Sequence, residues 1–100
     1  MNPSIYSFLG LAAKAGKVKT GDHTVLEEIR KQSLSLVLIA GDASPNTKKK
    51  FKDKSSYYQV PCYVTGDRDG LGRAVGKGSR VIIGITDKGF GGRLISMLDE

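Results

Sequence analysis

An apolar run, LSLVLIA at Leu34–Ala40, limits the architectures open to this 100-residue chain. It is too short to span a membrane, and its nearly unbroken apolar character is typical of a strand covered on both faces, as in a parallel sheet. A second run, SRVIIGI at Ser79–Ile85, predicts another such strand. Both strands need helices on the two faces of their sheet to exclude water.

Helix signals fill the segments between the predicted strands. Asn2 can cap a first helix that has Pro3 at its first position, and Gly16 ends that helix. Further helices are predicted to start at Gly21-Asp22, Ser44-Pro45, Asp67 and Asp87. Short strands are expected at 18–20 and 60–64. The alternation of strands and helices predicts one α/β domain over residues 1–100, a three-layer α/β/α sandwich with a mixed, largely parallel central sheet.

Charge gives the first indication of function. The chain has 16 Lys and Arg against 10 Asp and Glu, a formal charge of +6 and a pI near 9.6. A polyanion is the natural partner of so basic a domain. Cys62 is the lone cysteine, so an internal disulfide is excluded, and we expect a reducing cytoplasm and a buried strand position for this residue. The N-terminus lacks the basic region of a signal peptide, and no membrane partner is predicted.

Basic residues flank two glycine-containing turns. The first group surrounds the predicted start of the second helix and comprises Lys14, Lys17, Lys19, Thr20, Gly21, Asp22, His23 and Thr24. The second is the loop Gly76–Arg80, which precedes the last strand. Exposed amides at a helix N-terminus favour anions. If the first strand lies beside the last, the two loops emerge at neighbouring corners of the sheet; otherwise they are ordinary glycine turns.

A lysine-rich run and three tyrosines allow two interpretations each. Lys48–Lys54 is either a solvated helix surface or a non-specific phosphate contact. Tyr57, Tyr58 and Tyr63 can stack on bases or pack in the core or at the sheet edge.

Signals for catalysis are weak. His23 is the sole histidine and lacks a second ligand or a nucleophile, so we expect a polar contact rather than metal binding or acid–base catalysis. GRAVGKGS, which begins at Gly72, is an incomplete P-loop motif, and GFGGRL over 89–94 lacks the third glycine of a dinucleotide motif. No enzyme activity, catalytic residue, metal, cofactor or small-molecule substrate is therefore predicted.

Two segments carry a family resemblance, LGLAAKAGKVKTGDHTVLEEIRKQSLSLVLIAGDASPNTKKKF and, later, LGRAVGKGSRVIIGI. From Ile5 to Leu98 the chain resembles the ribosomal protein L-seven-Ae/L-thirty-e superfamily, and most closely its small bacterial YlxQ-type members. The resemblance implies an α/β/α sandwich that binds kink-turn RNA. The RNA contacts expected from it are the turn and N-terminus of the second helix and the loop before the last central strand.

The resemblance also implies roles for single residues of the second helix. Gly21 would let the backbone approach the bent RNA closely. His23 and Thr24 stand where better-known binders use Asn and Glu to read guanines. Glu27 stands where those proteins place a lysine, and Lys31 matches a basic position one turn further on.

Outside that helix, Asp42 matches an acidic position after the apolar strand, and Gly76–Arg80 matches the second contact loop. The function expected is therefore recognition of structured RNA, with ribosomal RNA as one candidate, by a ribosome-associated protein. The predicted RNA-contacting residues are Lys17, Lys19, Thr20, Gly21, Asp22, His23, Thr24, Glu27, Lys31, Asp42, Gly76, Lys77, Gly78, Ser79 and Arg80. The alternative, prompted by Glu27, is a protein-interaction adaptor that retains the ribosomal-protein fold.

Overall fold

The computed structural model describes residues 3–100, so the predicted capping role of Asn2 lies outside the described residues. Helices and strands alternate along the chain. In order they are α1 (Pro3–Lys14), β1 (Val18–Thr20), α2 (Asp22–Arg30), β2 (Leu36–Ile39), α3 (Pro45–Tyr57), β3 (Cys62–Val64), α4 (Arg68–Ala74), β4 (Ile82–Ile85) and α5 (Lys88–Leu98).

The four strands form one mixed sheet in the order β1-β4-β2-β3. β1, β2 and β3 run in the same direction, and β4 runs against them between β1 and β2. Thr20 therefore lies opposite Ile83, and so does Leu38 from the other side. The first strand therefore lies beside the last, which is the condition under which the two loops emerge at neighbouring corners of the sheet.

The predicted mixed sheet is confirmed, but its largely parallel pairing is wrong. Three strands share one direction, yet only β2 and β3 pair in parallel, because β4 is antiparallel to both of its neighbours. The apolar runs at 34–40 and 79–85 reflect burial on both faces. Helices cover antiparallel strands as well as parallel ones, so burial alone does not fix strand direction.

Two apolar layers enclose the sheet and confirm the α/β/α sandwich. One face of the sheet packs on α1, α4 and α5, and its core includes Leu9, Leu71 and Leu94. The other face packs on α2 and α3, with Ile29 and Phe51 fully buried. The side chains of each central strand alternate between these two cores, which explains why β2 and β4 are apolar at nearly every position.

The helix signals in the sequence mark the observed ends closely. Ser44 caps α3, Asp67 caps α4 and Asp87 caps α5, as predicted. Gly16, with φ +74°, terminates α1. β1 has its predicted bounds, whereas the other three described strands are shorter than predicted. β4, for example, begins at Ile82 rather than Ser79, because residues 79–81 form the approach to the sheet.

The directions of the strands bring three helix starts together. β1, β2 and β3 all end where β4 begins, and α2, α3 and α4 start at that edge. We call it the loop edge and define it by residues 19–24, 40–45, 65–68 and 76–81. Within residues 3–100, no helix is both long and apolar enough to cross a membrane.

Candidate nucleic-acid interface

The start of α2 depends on Gly21. Its backbone has φ +94° and ψ +148°, a conformation that side-chain-bearing residues rarely adopt. The Gly21 amide donates to the Ile82 carbonyl at 3.2 Å, which fixes the turn to β4. A Cβ on Gly21 would meet no atom within 4 Å, so this backbone faces open space.

No side chain of the described residues caps α2. The three other helices whose N-caps lie in residues 3–100 are each capped by Ser or Asp. The first amides of an α-helix have no acceptor within the helix, and they carry partial positive charge. The first turn of α2 therefore presents amides that an anion can accept from.

The second loop is held against α4 by Gly72. The Gly76 amide donates to the Arg73 carbonyl and the Lys77 amide to the Gly72 carbonyl, at 3.0 and 2.8 Å, a glycine-terminated helix end. Gly72 is buried, and a Cβ there would lie 2.7 Å from the carbonyl carbon of Gly78 and closer still to its oxygen. Only glycine at position 72 lets the loop pack this closely on α4.

Residues from both predicted sites line one pocket of about 350 Å³. Lys19, Thr20 and Thr24 come from β1 and α2, and Lys77 comes from the loop after α4. The remaining lining residues are Ala13, Val18 and Val75. None of these described residues is acidic, so the pocket combines two ammonium groups with hydroxyl donors. This chemistry suits phosphate and sugar groups.

A neighbouring pocket of about 320 Å³ extends the basic surface. It shares Ala13 and Val75 with the first pocket and adds the cations Lys14 and Arg73. Lys14 belongs to the first basic group predicted from the sequence, whereas Arg73 was not predicted as a site residue. The signal was weak, because Arg73 comes near Lys14 only through the packing of α1 on α4.

Arg80 connects the two loops instead of projecting freely. Its Nε donates to Thr20 Oγ1 at 3.3 Å, and one terminal nitrogen donates to the Ser79 carbonyl at 2.8 Å. Its backbone amide also donates to the carbonyl of Arg68, at 3.0 Å. Arg80 therefore holds the two loops and the start of α4 in register.

Asp42 lies at the loop edge with its carboxylate engaged. Arg68 donates to it from the backbone amide at 3.0 Å and from Nε at 3.2 Å. Partial desolvation raises the pKa of Asp42, but the hydrogen bonds and charge of Arg68 outweigh this effect and lower the pKa overall. The geometry gives Asp42 a bracing position between the β2–α3 loop and the start of α4.

His23 and Glu27 share the exposed face of α2. The His23 Nε2 lies 3.8 Å from a carboxylate oxygen of Glu27, and the side chains are 88% and 47% exposed. The two residues are one helical turn apart, with His23 nearer the loop edge. The anion at Glu27 is thus directed toward the imidazole.

Two predicted contact residues lie apart from the rest. Lys17 precedes β1 at the opposite end of the strand, where its carbonyl accepts from the Thr86 amide at 2.9 Å. Lys31 follows α2, about 13 Å of helix away from Gly21, and pairs with Glu28 at 3.6 Å. The side-chain hydrogen bond from Ser33 and the charge of Lys31 lower the pKa of Glu28, although desolvation opposes them.

The loop edge brings together most of the other predicted residues. They are Lys19, Thr20, Gly21, Asp22, His23, Thr24, Asp42, Gly76, Lys77, Gly78, Ser79 and Arg80. Glu27 lies one turn away. Across residues 3–100, no cluster of three or more His, Cys, Asp or Glu side chains is placed to hold a metal ion.

Comparison with known proteins identifies the family. The model of the ribosomal protein L7Ae/L30e/S12e/Gadd45 family matches residues 3–92. RNA-binding protein YlxQ from Bacillus subtilis (strain 168) is 48% identical over 94 residues, which cover 94% of this chain and 94% of that protein. The predicted resemblance to YlxQ-type members is confirmed.

Solved structures agree with this result. A protein of unknown function from Bacillus halodurans C superposes with a TM-score of 0.96 at 42% identity, covering 99% of this chain and 100% of that one. The Giardia lamblia 15.5kD RNA binding protein shares the fold, with a TM-score of 0.84 at 19% identity over 99% of this chain and 91% of its own. The chain therefore belongs to the ribosomal protein L7Ae/L30e/S12e/Gadd45 family.

Proposed function

We propose that this protein binds structured RNA of the kink-turn type, with ribosomal RNA as a candidate source, through the loop edge. The observation that carries the proposal is the pocket in which Lys19, Thr20 and Thr24 meet Lys77. Two basic loops that are 50 or more residues apart in sequence form one continuous surface there. The name of the Bacillus subtilis relative, RNA-binding protein YlxQ, supports the same class of ligand.

The residues divide into those that contact RNA and those that hold the surface in shape. Lys19 and Lys77 would neutralise phosphates of the RNA backbone. Lys14 and Arg73 would extend this basic surface to the phosphates of the neighbouring RNA helix. The uncapped amides of α2 would donate hydrogen bonds to a phosphate oxygen or a base acceptor, and Gly21 would let the RNA backbone approach. Arg80, through Thr20, and Asp42, through Arg68, would hold the loops in position without contacting the RNA.

Base readout would come from the first turn of α2. The His23 imidazole and the Thr24 hydroxyl are both exposed at the loop edge and can each donate and accept hydrogen bonds. Glu27 would orient His23 rather than contact phosphate, because its carboxylate lies 3.8 Å from the ring nitrogen. Recognition would thus combine charge and shape with few direct base contacts.

The first experiment is a titration against a kink-turn RNA and against the same RNA without its tandem sheared G·A pairs, each at two salt concentrations. Tight binding to the first and a large loss on the second are expected. Equal, steeply salt-dependent binding to both RNAs would reduce the proposal to generic RNA binding. No binding to either at moderate salt would contradict it and favour the protein-interaction adaptor.

Lysine variants locate the site within the same assay. Lys19→Ala and Lys77→Ala should each weaken binding and reduce the log–log salt slope by about one unit, because each removes a phosphate contact. Lys88→Ala is the matched control, since Lys88 is exposed at the start of α5, on the opposite edge of the sheet. If all three variants behave alike, the loop edge is not the binding site.

A further inference from the structure

A second cationic surface lies on α3, well away from the loop edge. Lys50, Asp53, Lys54, Tyr57 and Tyr58 line a pocket of about 390 Å³, which we call the tyrosine–lysine pocket. α3 starts at the loop edge and is 13 residues long. Its C-terminal turn therefore lies about 20 Å from the helix start.

An exposed aromatic ring marks this pocket. Tyr57 is 79% exposed, although large aromatic side chains are usually at least partly buried. Its ring meets that of Tyr58 edge to face, with centroids 4.9 Å apart. Tyr58 in turn packs against the core between the sheet and α2–α3. Tyr57 is thus held by one ring contact while most of its surface stays open.

Of the lysines near Tyr57, some have a carboxylate partner and others do not. Asp53 accepts a hydrogen bond from Lys49 at 2.9 Å, and this bond and the charge of Asp53 raise the pKa of Lys49. In the described part of the chain, neither Lys50 nor Lys54 has a carboxylate within ion-pair distance. The Lys50 ammonium lies 5.7 Å from the centroid of the Phe51 ring. The pocket therefore offers two ammonium groups without a carboxylate partner in the described residues, beside an open aromatic face.

We propose that the tyrosine–lysine pocket binds an unpaired nucleotide of RNA. The base would stack on Tyr57, and Lys50 and Lys54 would contact the flanking phosphates. Stacking on an aromatic ring with nearby cations is the general chemistry of single-strand binding. The helix surface is dominated by lysine and presents one exposed ring, whereas a membrane or an apolar protein segment needs a broad apolar face.

The inference deepens the proposed function and rests on it for the identity of the target. A structured element would occupy the loop edge while a single-stranded flank follows α3 to its far end. The two contacts together would select a structured RNA that carries an unpaired neighbour.

The test compares a kink-turn RNA that ends flush with the same RNA extended by about ten unpaired nucleotides, a length typical of single-strand sites. The extension should tighten binding roughly tenfold, the scale of one stacked base. Tyr57→Ala should abolish this gain and leave affinity for the flush RNA unchanged, whereas Tyr57→Phe should keep the gain. A gain that survives Tyr57→Ala, or no gain for the unaltered protein, would overturn the inference.

A second measurement separates this inference from the proposed function. An unpaired oligonucleotide of about ten residues is titrated alone against the unaltered chain, Tyr57→Ala and Lys50→Ala/Lys54→Ala. Loss of oligonucleotide binding in these variants supports the pocket even if no kink-turn is bound. Binding that is unaffected by all of them contradicts the pocket even if the kink-turn is bound tightly. Thermal unfolding checks that the exposed substitutions leave the fold intact.

Discussion

The starts of α2 and α3 lie at the same edge of the sheet but are completed in different ways. At α3, Ser44 accepts a hydrogen bond from the Thr47 amide at 3.2 Å, and Pro45 occupies the first turn, where no amide is needed. At α2, Gly21 replaces the capping residue and no side chain of residues 3–100 accepts from the first turn. The first turn of α3 has an acceptor within the neighbouring sequence, whereas the first-turn amides of α2 are open to an acceptor from outside the chain.

The difference extends to what supports each start. α3 has a local side-chain cap in addition to the brace that Asp42 and Arg68 form in the loop before it. The turn before α2 has no such cap and is tied to β4 through the Gly21 amide and to the second loop through Thr20 and Arg80. The shape of the α2 start thus depends on residues about 60 positions away. A local cap stabilises the helix that it precedes. Hydrogen bonds from distant residues instead hold the uncapped start of α2 in a fixed shape, and a preformed binding surface requires such support.

The largest effect is expected from a substitution that disturbs the second loop, which supports the start of α2 from a distance. Gly72→Ala would drive a methyl group into the Gly78 backbone, so we expect a loss of stability at the upper end of about 1–3 kcal/mol and at least tenfold weaker RNA binding. Gly92→Ala is the control, because a Cβ there meets nothing within 4 Å on an exposed part of α5. It should stabilise the chain by about 0.5–1 kcal/mol. Chemical denaturation and RNA titration measure both effects; unchanged RNA affinity in Gly72→Ala would contradict the coupling.

A smaller effect separates the two helix starts directly. Gly21→Ala should cost about 1–3 kcal/mol through backbone strain at φ +94° and should weaken RNA binding as the first-turn amides move. Ser44→Ala should cost about 1 kcal/mol through loss of the cap and leave RNA binding unchanged. Equal effects of the two variants on RNA affinity would show that the start of α2 has no special role.

The smallest effect is expected at Asp42, in the loop that leads to the capped helix α3. The pKa of Asp42 is lowered in the fold, so its contribution to stability is fully present above the ordinary carboxylate pKa of about 4 and is lost as pH falls through the lowered pKa of the folded state. Asp42→Asn should therefore lower the melting temperature at pH 7, and the difference from the unaltered chain should shrink steadily as the pH is lowered into the acid range. A difference that does not shrink with falling pH would mean that Asp42 acts through packing rather than charge. RNA affinity should change little.

Local signals in the sequence predicted the helices well. Ser44, Asp67 and Asp87 are short-range capping signals, and each caps the helix it was expected to cap. Strand pairing was harder to predict from the sequence, because the apolar run at Leu34–Ala40 indicates burial but not the direction of the neighbouring strand. The antiparallel position of β4 depends on packing between distant segments.

The candidate site was predicted in part for the same reason. Gly21 and Gly76 were visible as turn residues, and both have positive φ. The roles of Arg73 and Arg80 were not accessible, since one depends on α1 packing against α4 and the other on the contact with Thr20. Lys17 was assigned to the site by its closeness in sequence and Lys31 by the family resemblance, although the strand and helix carry them away from the loop edge.

The position of β4 has a consequence for the order in which the molecule is completed. Within the described chain, β1 is bonded in the sheet to β4 alone, and β4 ends at Ile85, after most of the chain. During synthesis, β1 therefore cannot join the sheet until β4 has been made. The turn at Gly21 also needs the Ile82 carbonyl. A chain that stops before β4 can form several helices but cannot close the loop edge, so the proposed RNA contact is available only after β4 has joined the sheet.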